Sequence, residues 1–252
     1  MTAGFTSIAA FFTPGFWPLP PDASAHGPAL DHHLVLNLAI ACGLLLLAHL
    51  LLFTALLLRR LPRTRPRSRL LLQYLPLSAL AILFGFLTVR AERLWADTRY
   101  SGADPSALQI EATGMQFAWY FRYPGRDAAF GHTRPELIAP GEGNPLGIDP
   151  HDPHGADDFV TSELVLPAGR EVDLRLHAQD VIHGFSVPAM RIKQNAVPGL
   201  NVHIHFTPVT PGTYAILCTQ LCGLGHYHMT ANLRVVTPDA YAEWLTAKAG
   251  AP

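Results

Sequence analysis

Cys218, Cys222, His226, His228 and Met229 fall within twelve residues, CTQLCGLGHYHM (218–229), of a 252-residue chain that has three cysteines in all. Two cysteines four apart are disulfide partners in an oxidising compartment, and thiolates with imidazoles are metal ligands. A disulfide closes a tight loop and leaves both histidines and Met229 without a role. Zinc accepts thiolates and imidazoles but gains little from a thioether, whereas copper uses all three donors. One-electron transfer by copper needs soft ligands that spread charge and a frame that changes little between redox states. A loop joining two strands of a β-sandwich supplies such a frame.

Cys218 ends the alternating segment GTYAILC (212–218) and Met229 precedes TANLRVV (230–236), so the donors are predicted on a hairpin connection. Gly223 and Gly225 are expected to give that loop its positive φ angles. Further short alternating segments are LQIEATGMQFAWYFRY (108–123), SELVL (162–166), REVDLRLHA (170–178) and NVHIHFTP (201–208), several of them bounded by the turn signals PAGR, VPG and TPG. The pattern predicts an antiparallel sandwich or barrel. His203 and His205 alternate with the apolar side of their strand and are expected to face outward. TPDAYAEWLTAKAG (237–250) reads as a short helix with Thr237 as N-cap and Pro238 at its first position.

Residues 124–161 break the strand rhythm with Gly, Pro, Asp and His, and Glu136 to Glu163 holds seven acids without a Lys or Arg. This long excursion is a solvated loop or, on a sharper reading, a docking surface for a basic partner with Asp157 and Asp158 among its contact charges. His132, His151 and His154 are expected to be solvent-exposed rather than metal-bound. From Asp104 onward there are 15 acids and 9 bases, a net charge of −6. Nucleic acid is excluded as a partner for that surface, and a cationic protein suits it.

The composition, 49% hydrophobic and 15% charged, is too apolar for an ordinary soluble domain. Residues 34–58 carry no formal charge and as a helix span about 37 Å, enough for a hydrocarbon core of roughly 30 Å; residues 70–89 form a second such run. Between them RRLPRTRPRSR contains six arginines and no acid, which places that loop in the cytoplasm and both chain ends outside. Pro76 is expected to kink the second span. Asn37, His49 and Gln73 either face a neighbouring subunit or bond locally, and Cys42 reads as a small packing residue. The predicted organisation is an external tail (1–30), a two-helix transmembrane hairpin (31–90), a linker (91–106), a β domain (107–237) and a terminal helix (238–252).

The donor cluster, a distant histidine in DVIHGFSVP (180–188) and the two-helix anchor together resemble subunit II of the haem-copper oxidases, which carries the dinuclear copper A centre. The family pattern C-x-E-x-C-G-x-x-H-x-x-M is matched at Cys218, Cys222, Gly223, His226 and Met229, and AVPG (196–199) also fits. The resemblance implies a membrane-anchored all-β protein with a cupredoxin-like antiparallel β-sandwich on the periplasmic side of a bacterial cytoplasmic membrane. It implies two copper ions bridged by Cys218 and Cys222, with His183 and His226 binding one each, Met229 completing one and the main-chain carbonyl of Gln220 the other. The partners it implies are oxidase subunit I, other oxidase subunits and a cytochrome c type donor. Gln220 stands where much of the family has a Glu that helps hold magnesium, so magnesium is not carried over. Arg69 stands where many relatives have an acid, and that proton-path role is not carried over either. GMQFAWYF (114–121) resembles the family's G-x-Q-W-x-W, which makes Phe117 and Trp119 the candidates for the point where electrons enter. Two other readings are a copper A subunit of a nitric oxide reductase and a copper-delivery protein of the Sco type, which has a thioredoxin fold. A quinol oxidase subunit II lacks the copper ligands present here.

Overall fold

The computed structural model describes residues 19–59 and 66–249. The chain divides into two compact units, residues 29–97 with Leu19, and residues 20–28 with the chain from Thr98 onward. In the first unit, α1 (Gly27–Leu57) and α2 (Pro66–Trp95) contain the two apolar runs, each long and apolar enough to cross a membrane. Leucines and phenylalanines along both runs are exposed in the isolated chain, as lipid-facing or subunit-facing helices require. α2 continues through Pro76. Asn37 donates its amide to the His33 carbonyl at 2.8 Å, and His49 Nδ1 lies 2.8 Å from the Leu45 carbonyl, so both polar residues bond locally. Most of the predicted cytoplasmic arginine loop, residues 60–65, lies outside the described residues.

The predicted boundaries shift at both ends of this unit. Residues 20–28, expected in a free tail, belong with the β domain: Ala23 is buried, its amide donates to the Ala189 carbonyl at 2.9 Å, and Ser24 bridges Pro208. Ser24 Oγ accepts the Gly27 amide at 3.0 Å, which starts α1 ahead of its apolar run. The expected linker 91–106 is helical as far as Tyr100, its last turn (Ala96–Tyr100) widened to π geometry. Arg90, Glu92 and Arg93 favour helix, and the first breaker is Gly102 at φ +71.

In the second unit, the described residues form ten strands, several of them with alternating apolar and polar residues. They are β1 (Leu108–Met115), β2 (Ala118–Tyr123), β3 (Phe159–Thr161), β4 (Glu163–Pro167), β5 (Val172–Ala178), β6 (His183–Val187), β7 (Ile192–Ala196), β8 (Val202–Phe206), β9 (Gly212–Cys218) and β10 (Thr230–Val236). Two five-stranded sheets, ordered β3-β2-β1-β5-β8 and β4-β10-β9-β6-β7, enclose one core containing Ile110, Phe121, Leu164, Leu174, Phe185 and Leu233. The sandwich matches expectation except that each sheet includes one parallel pair, β1 with β5 and β4 with β10. The long excursion before β3 and the crossing from β4 to β5 allow strands far apart in sequence to align in the same direction. The terminal helix α3 (Pro238–Ala249) is pinned by Trp244 against Tyr123, whose ring stacks on Phe159 at 5.0 Å.

The excursion is tied down from beneath and from within. Buried Arg122 on β2 donates to Asp158 and to Glu111, and its guanidinium lies 5.2 Å from the Phe130 ring. Near the surface, Asp152 accepts the His132 amide, the His132 ring and the His154 amide, while His154 pairs with Asp127 at 2.6 Å. The His132 amide and ring, followed by the His154 amide, bring the Asp152 carboxyl down to about 2. The hydrogen bond to Asp127 raises His154. A lowered acid stabilises above its ordinary 3.8 and loses that contribution as pH falls towards 2. A raised histidine stabilises fully below 6.5 and loses that contribution as pH rises through its folded value. The excursion is therefore expected to be held tightest between pH 3.8 and 6.5. Amide hydrogen exchange over residues 127–154, corrected for intrinsic rate, should show that maximum, and His154→Asn should remove the decline above pH 6.5; protection unchanged across pH would refute it.

Candidate metal centre

Two adjacent interior strands of the second sheet, β6 and β9, set the site. Phe185 pairs with Cys218, and beyond that register the Thr219 amide donates to the Gly184 carbonyl at 2.8 Å. A side chain at Gly184 would lie 2.5 Å from Thr219 Oγ1, so glycine permits this approach. It brings His183, fully buried at the head of β6, over the end of β9. The nearest ligand atoms of His183, Cys218 and Cys222 all lie within 4.8 Å of one another.

The β9–β10 connection supplies the rest. Cys218 donates its amide to the Met229 carbonyl at 3.1 Å, closing the loop, and a 3₁₀ turn over His226–His228 faces the donors inward. Cys222 Sγ lies 3.8 Å from Cys218 Sγ, 3.7 Å from His226 Nδ1 and 3.7 Å from the Met229 sulfur. The Gln220 carbonyl is 3.3 Å from Cys218 Sγ, and the Gln220 side chain is exposed. All six residues singled out in the sequence, His183, Cys218, Gln220, Cys222, His226 and Met229, thus converge. Cys218 and Cys222 are free thiols, their sulfurs 3.8 Å apart.

The glycines of the loop differ in role. Gly223 has φ +138, as expected, but Gly225 has φ −88 and needs no left-handed freedom. A Cβ on Gly225 would come 2.4 Å from Phe117 Cδ2, so its glycine lets the loop lie flat on the Phe117 ring. Phe117 is half-buried beneath the loop, whereas Trp119 is buried with its ring set edge-on to His183 at 5.9 Å between centroids.

A metal ion fits these residues on three grounds. His183 Nε2 lies 2.8 Å from Asp180 Oδ1, while its buried Nδ1 has no hydrogen-bond partner and is left for a ligand. Burial, followed by the adjacent Cys218 thiol, pushes Cys222 up to about 11, so a thiolate there requires a nearby cation. Gly114 is a cradle for the His183 ring, since a Cβ there would meet it at 2.9 Å. Burial alone would raise Asp180, but the Gln116 amide and His183 hydrogen bonds outweigh it and hold the carboxyl below its ordinary value.

Sequence reading overlooked Asp180, although it stands in the quoted DVIH, and Gln116, whose side-chain amide donates to the Cys222 carbonyl. It also overlooked the apolar tip of the loop, where Leu221, Leu224 and Tyr227 are 78%, 97% and 85% exposed. The expected exposure of His132, His151 and His154 is observed, each beside an aspartate. His203 and His205 point away from the core, paired with Asp173 and Glu171. Asp158, expected at a docking surface, is buried against Arg122, and Asp157 accepts the Arg126 amide at 2.6 Å.

Residues 108–236 match the family model for the periplasmic domain of cytochrome c oxidase subunit II, just over half of the chain. The chain belongs to the cytochrome c oxidase subunit II family. An alternative cytochrome c oxidase subunit 2 of Bradyrhizobium diazoefficiens is 40% identical over 141 residues, covering 55% of this chain and 50% of the relative. A cytochrome c oxidase subunit 2 of Synechocystis is 32% identical over 156 residues, 62% of this chain and 37% of that one. Half or less of each relative is therefore spanned. The crystal structure of the periplasmic domain of cytochrome oxidase subunit II from Bradyrhizobium japonicum aligns with TM-score 0.42 at 28% identity, covering 57% of this chain and 95% of that domain. Family membership and the β-sandwich exclude the thioredoxin architecture that a Sco-type copper-delivery protein requires.

If Asp180 fixes the tautomer and aim of His183, Asp180→Ala should weaken copper binding by roughly 10- to 100-fold in chelator competition while leaving the far-ultraviolet circular dichroism unchanged. Equal affinity would show that His183 is oriented by packing against Trp119 and Gly114 alone.

Proposed function

We propose that this chain is the electron-transfer subunit of a respiratory terminal oxidase, receiving electrons from a cytochrome c type donor at two copper ions and delivering them to haem in subunit I, where oxygen is reduced. The observation that carries this reading is the convergence of buried His183 on the Cys218–Cys222 pair, with His226, Met229 and the Gln220 carbonyl around it. Two coppers, when bound there, supply a one-electron carrier whose charge is shared between both metals and the thiolates. Cys218, Cys222, His183, His226, Met229 and the Gln220 carbonyl would hold the ions. Magnesium is not proposed, because the exposed Gln220 side chain brings no negative charge. A nitric oxide reductase is not favoured, since the matching family is that of the oxidase.

The chain's own residues hold the donors in place before any metal arrives, which keeps structural change on electron transfer small. β6 and β9 fix His183 and Cys218, the Phe117 ring supports the loop, and Asp180 holds the outer nitrogen of His183. We place the arrival of electrons at the loop tip, where Leu221, Leu224 and Tyr227 offer an exposed apolar contact beside the buried donors. Phe117 beneath the loop and Trp119 against His183 are the aromatic routes inward. Anchoring in a bacterial cytoplasmic membrane by α1 and α2, with the sandwich on the periplasmic side, is part of the same reading and is supported by the length and apolarity of the two helices.

The full chain in detergent, loaded with copper, is expected to take up two ions and show a purple mixed-valence spectrum. Cys218→Ser and Cys222→Ser should each abolish it. A single blue copper, or zinc alone, would overturn the proposal. For donor docking, exposed Glu136 and Glu142 replace Asp157 and Asp158 as the steering charges. Association with a cationic cytochrome c should slow as the Debye length shortens from about 10 Å at 0.1 M to 3 Å at 1 M salt. Glu136→Gln with Glu142→Gln should flatten that dependence and leave the copper spectrum intact, whereas a salt-indifferent rate assigns docking to the apolar tip alone.

A further inference from the structure

Within the helical unit, Ala29, His32 and His33 of α1 and Arg90, Leu94 and Asp97 of α2 and its π turn line a cleft of about 300 Å³. That volume is at the lower end for small-ligand sites. The lining brings a guanidinium, two imidazoles and a carboxylate together at one end of the two helices. Arg90 and Leu94, four apart, share one face of α2, and Asp97 follows them in the π turn.

Its depth in a bilayer follows from the sequence. The apolar run of α1 begins at Leu34, directly after His32 and His33, and that of α2 ends at Val89, directly before Arg90. The cleft therefore lies where both runs leave the hydrocarbon core, at the level of lipid headgroups. Trp95 and Tyr100, five and ten residues beyond Arg90, are 48% and 69% exposed, as residues of an interfacial aromatic belt are. The groups most abundant at that level are phosphodiesters, and in an aminophospholipid each is followed within one headgroup by an ammonium.

We propose that this cleft binds the headgroup of an aminophospholipid, its phosphate on Arg90 and the imidazoles of His32 and His33 and its ammonium on Asp97. A guanidinium is suited to a phosphodiester, donating two parallel hydrogen bonds to its oxygens. Asp97 is what sets the class: a carboxylate in the same cleft repels a purely anionic headgroup and attracts a zwitterionic one carrying a free amine. A bound lipid of this kind joins the outer ends of α1 and α2.

The proposal rests on the membrane anchoring proposed above. The test is native mass spectrometry of the full chain from nanodiscs containing phosphatidylethanolamine and phosphatidylglycerol in equal amounts. One phosphatidylethanolamine is expected to be retained per chain. Arg90→Gln should reduce retention of every phospholipid by about tenfold or more. Asp97→Asn should abolish the preference for phosphatidylethanolamine while retaining phospholipid. Leu94→Trp, which fills the cleft and leaves its charges in place, should exclude lipid with copper uptake by the sandwich unchanged. Phosphoethanolamine added in excess should not displace the lipid; displacement would show a soluble phosphate compound to be the ligand. Equal retention in wild type and Arg90→Gln, or no retained lipid in the assembled oxidase because a partner subunit fills the cleft, would overturn the proposal. A chain that washes free of membranes without detergent would instead overturn the anchoring.

Discussion

The donor cluster depends on one constraint, the seating of β6 beside β9. Phe185 opposite Cys218 and the Thr219 amide on the Gly184 carbonyl leave no freedom in where His183 stands relative to the first cysteine. Loop residues alone cannot achieve this, because a loop carries its own conformational entropy and relaxes when a ligand is lost. Here three donors belong to, or directly adjoin, sheet strands: His183 begins β6, Cys218 ends β9 and Met229 precedes β10. Only Cys222, His226 and the Gln220 carbonyl ride on the connection, and that connection lies on the Phe117 ring through Gly225.

The same seating makes the cluster electrostatically incomplete. Cys218, Cys222, Met229 and His183 are buried, the Cys222 thiol resists ionisation, and His183 keeps one nitrogen without a partner. A frame this dry stabilises soft donors in their neutral forms until a cation arrives, and then holds the thiolates close to it in a low dielectric. Asp180 lies on the far side of His183 and supplies negative charge to the imidazole without entering the donor set. Such an arrangement favours a metal that shares charge with sulfur over one that prefers oxygen.

Much of this could be read from the sequence, for a physical reason. The donors are unusual residue types at short spacing, and several strands alternate apolar and polar residues, so Val172, Leu174 and Leu176 on β5 or Ile204 and Phe206 on β8 announce which side is buried. Parallel pairing was not legible, because alternation within a strand says nothing of its neighbour's direction. The docking of residues 20–28 was hidden for a similar reason: Ala23 is buried by backbone hydrogen bonds to distant segments, and a lone alanine carries no periodic signal. Gly225 shows the limit in its sharpest form, since the residue type announces freedom while the structure uses only its smallness.

Charge is where linear reading and space differ most. The stretch from Glu136 to Glu163 contains no Lys or Arg in sequence, yet in the fold Arg134 reaches Asp149, Arg122 reaches Asp158 and Arg234 reaches Glu163. His132 engages Asp152 and the Arg126 amide engages Asp157. Five of the seven acids thus have partners within the fold, and the net −6 of the outer domain, which already counts those arginines, is not a free charge concentrated on this stretch. Exposed Glu136 and Glu142 still contribute a field that extends about a Debye length, which is enough to guide an encounter. On the proposed function, contact itself would fall to the uncharged tip, where Leu221, Leu224 and Tyr227 lie exposed within the loop that carries the buried ligand residues. On that proposal, steering and contact would fall to different surfaces: salt would govern how often a donor arrives, and the apolar tip how closely it approaches the donor cluster.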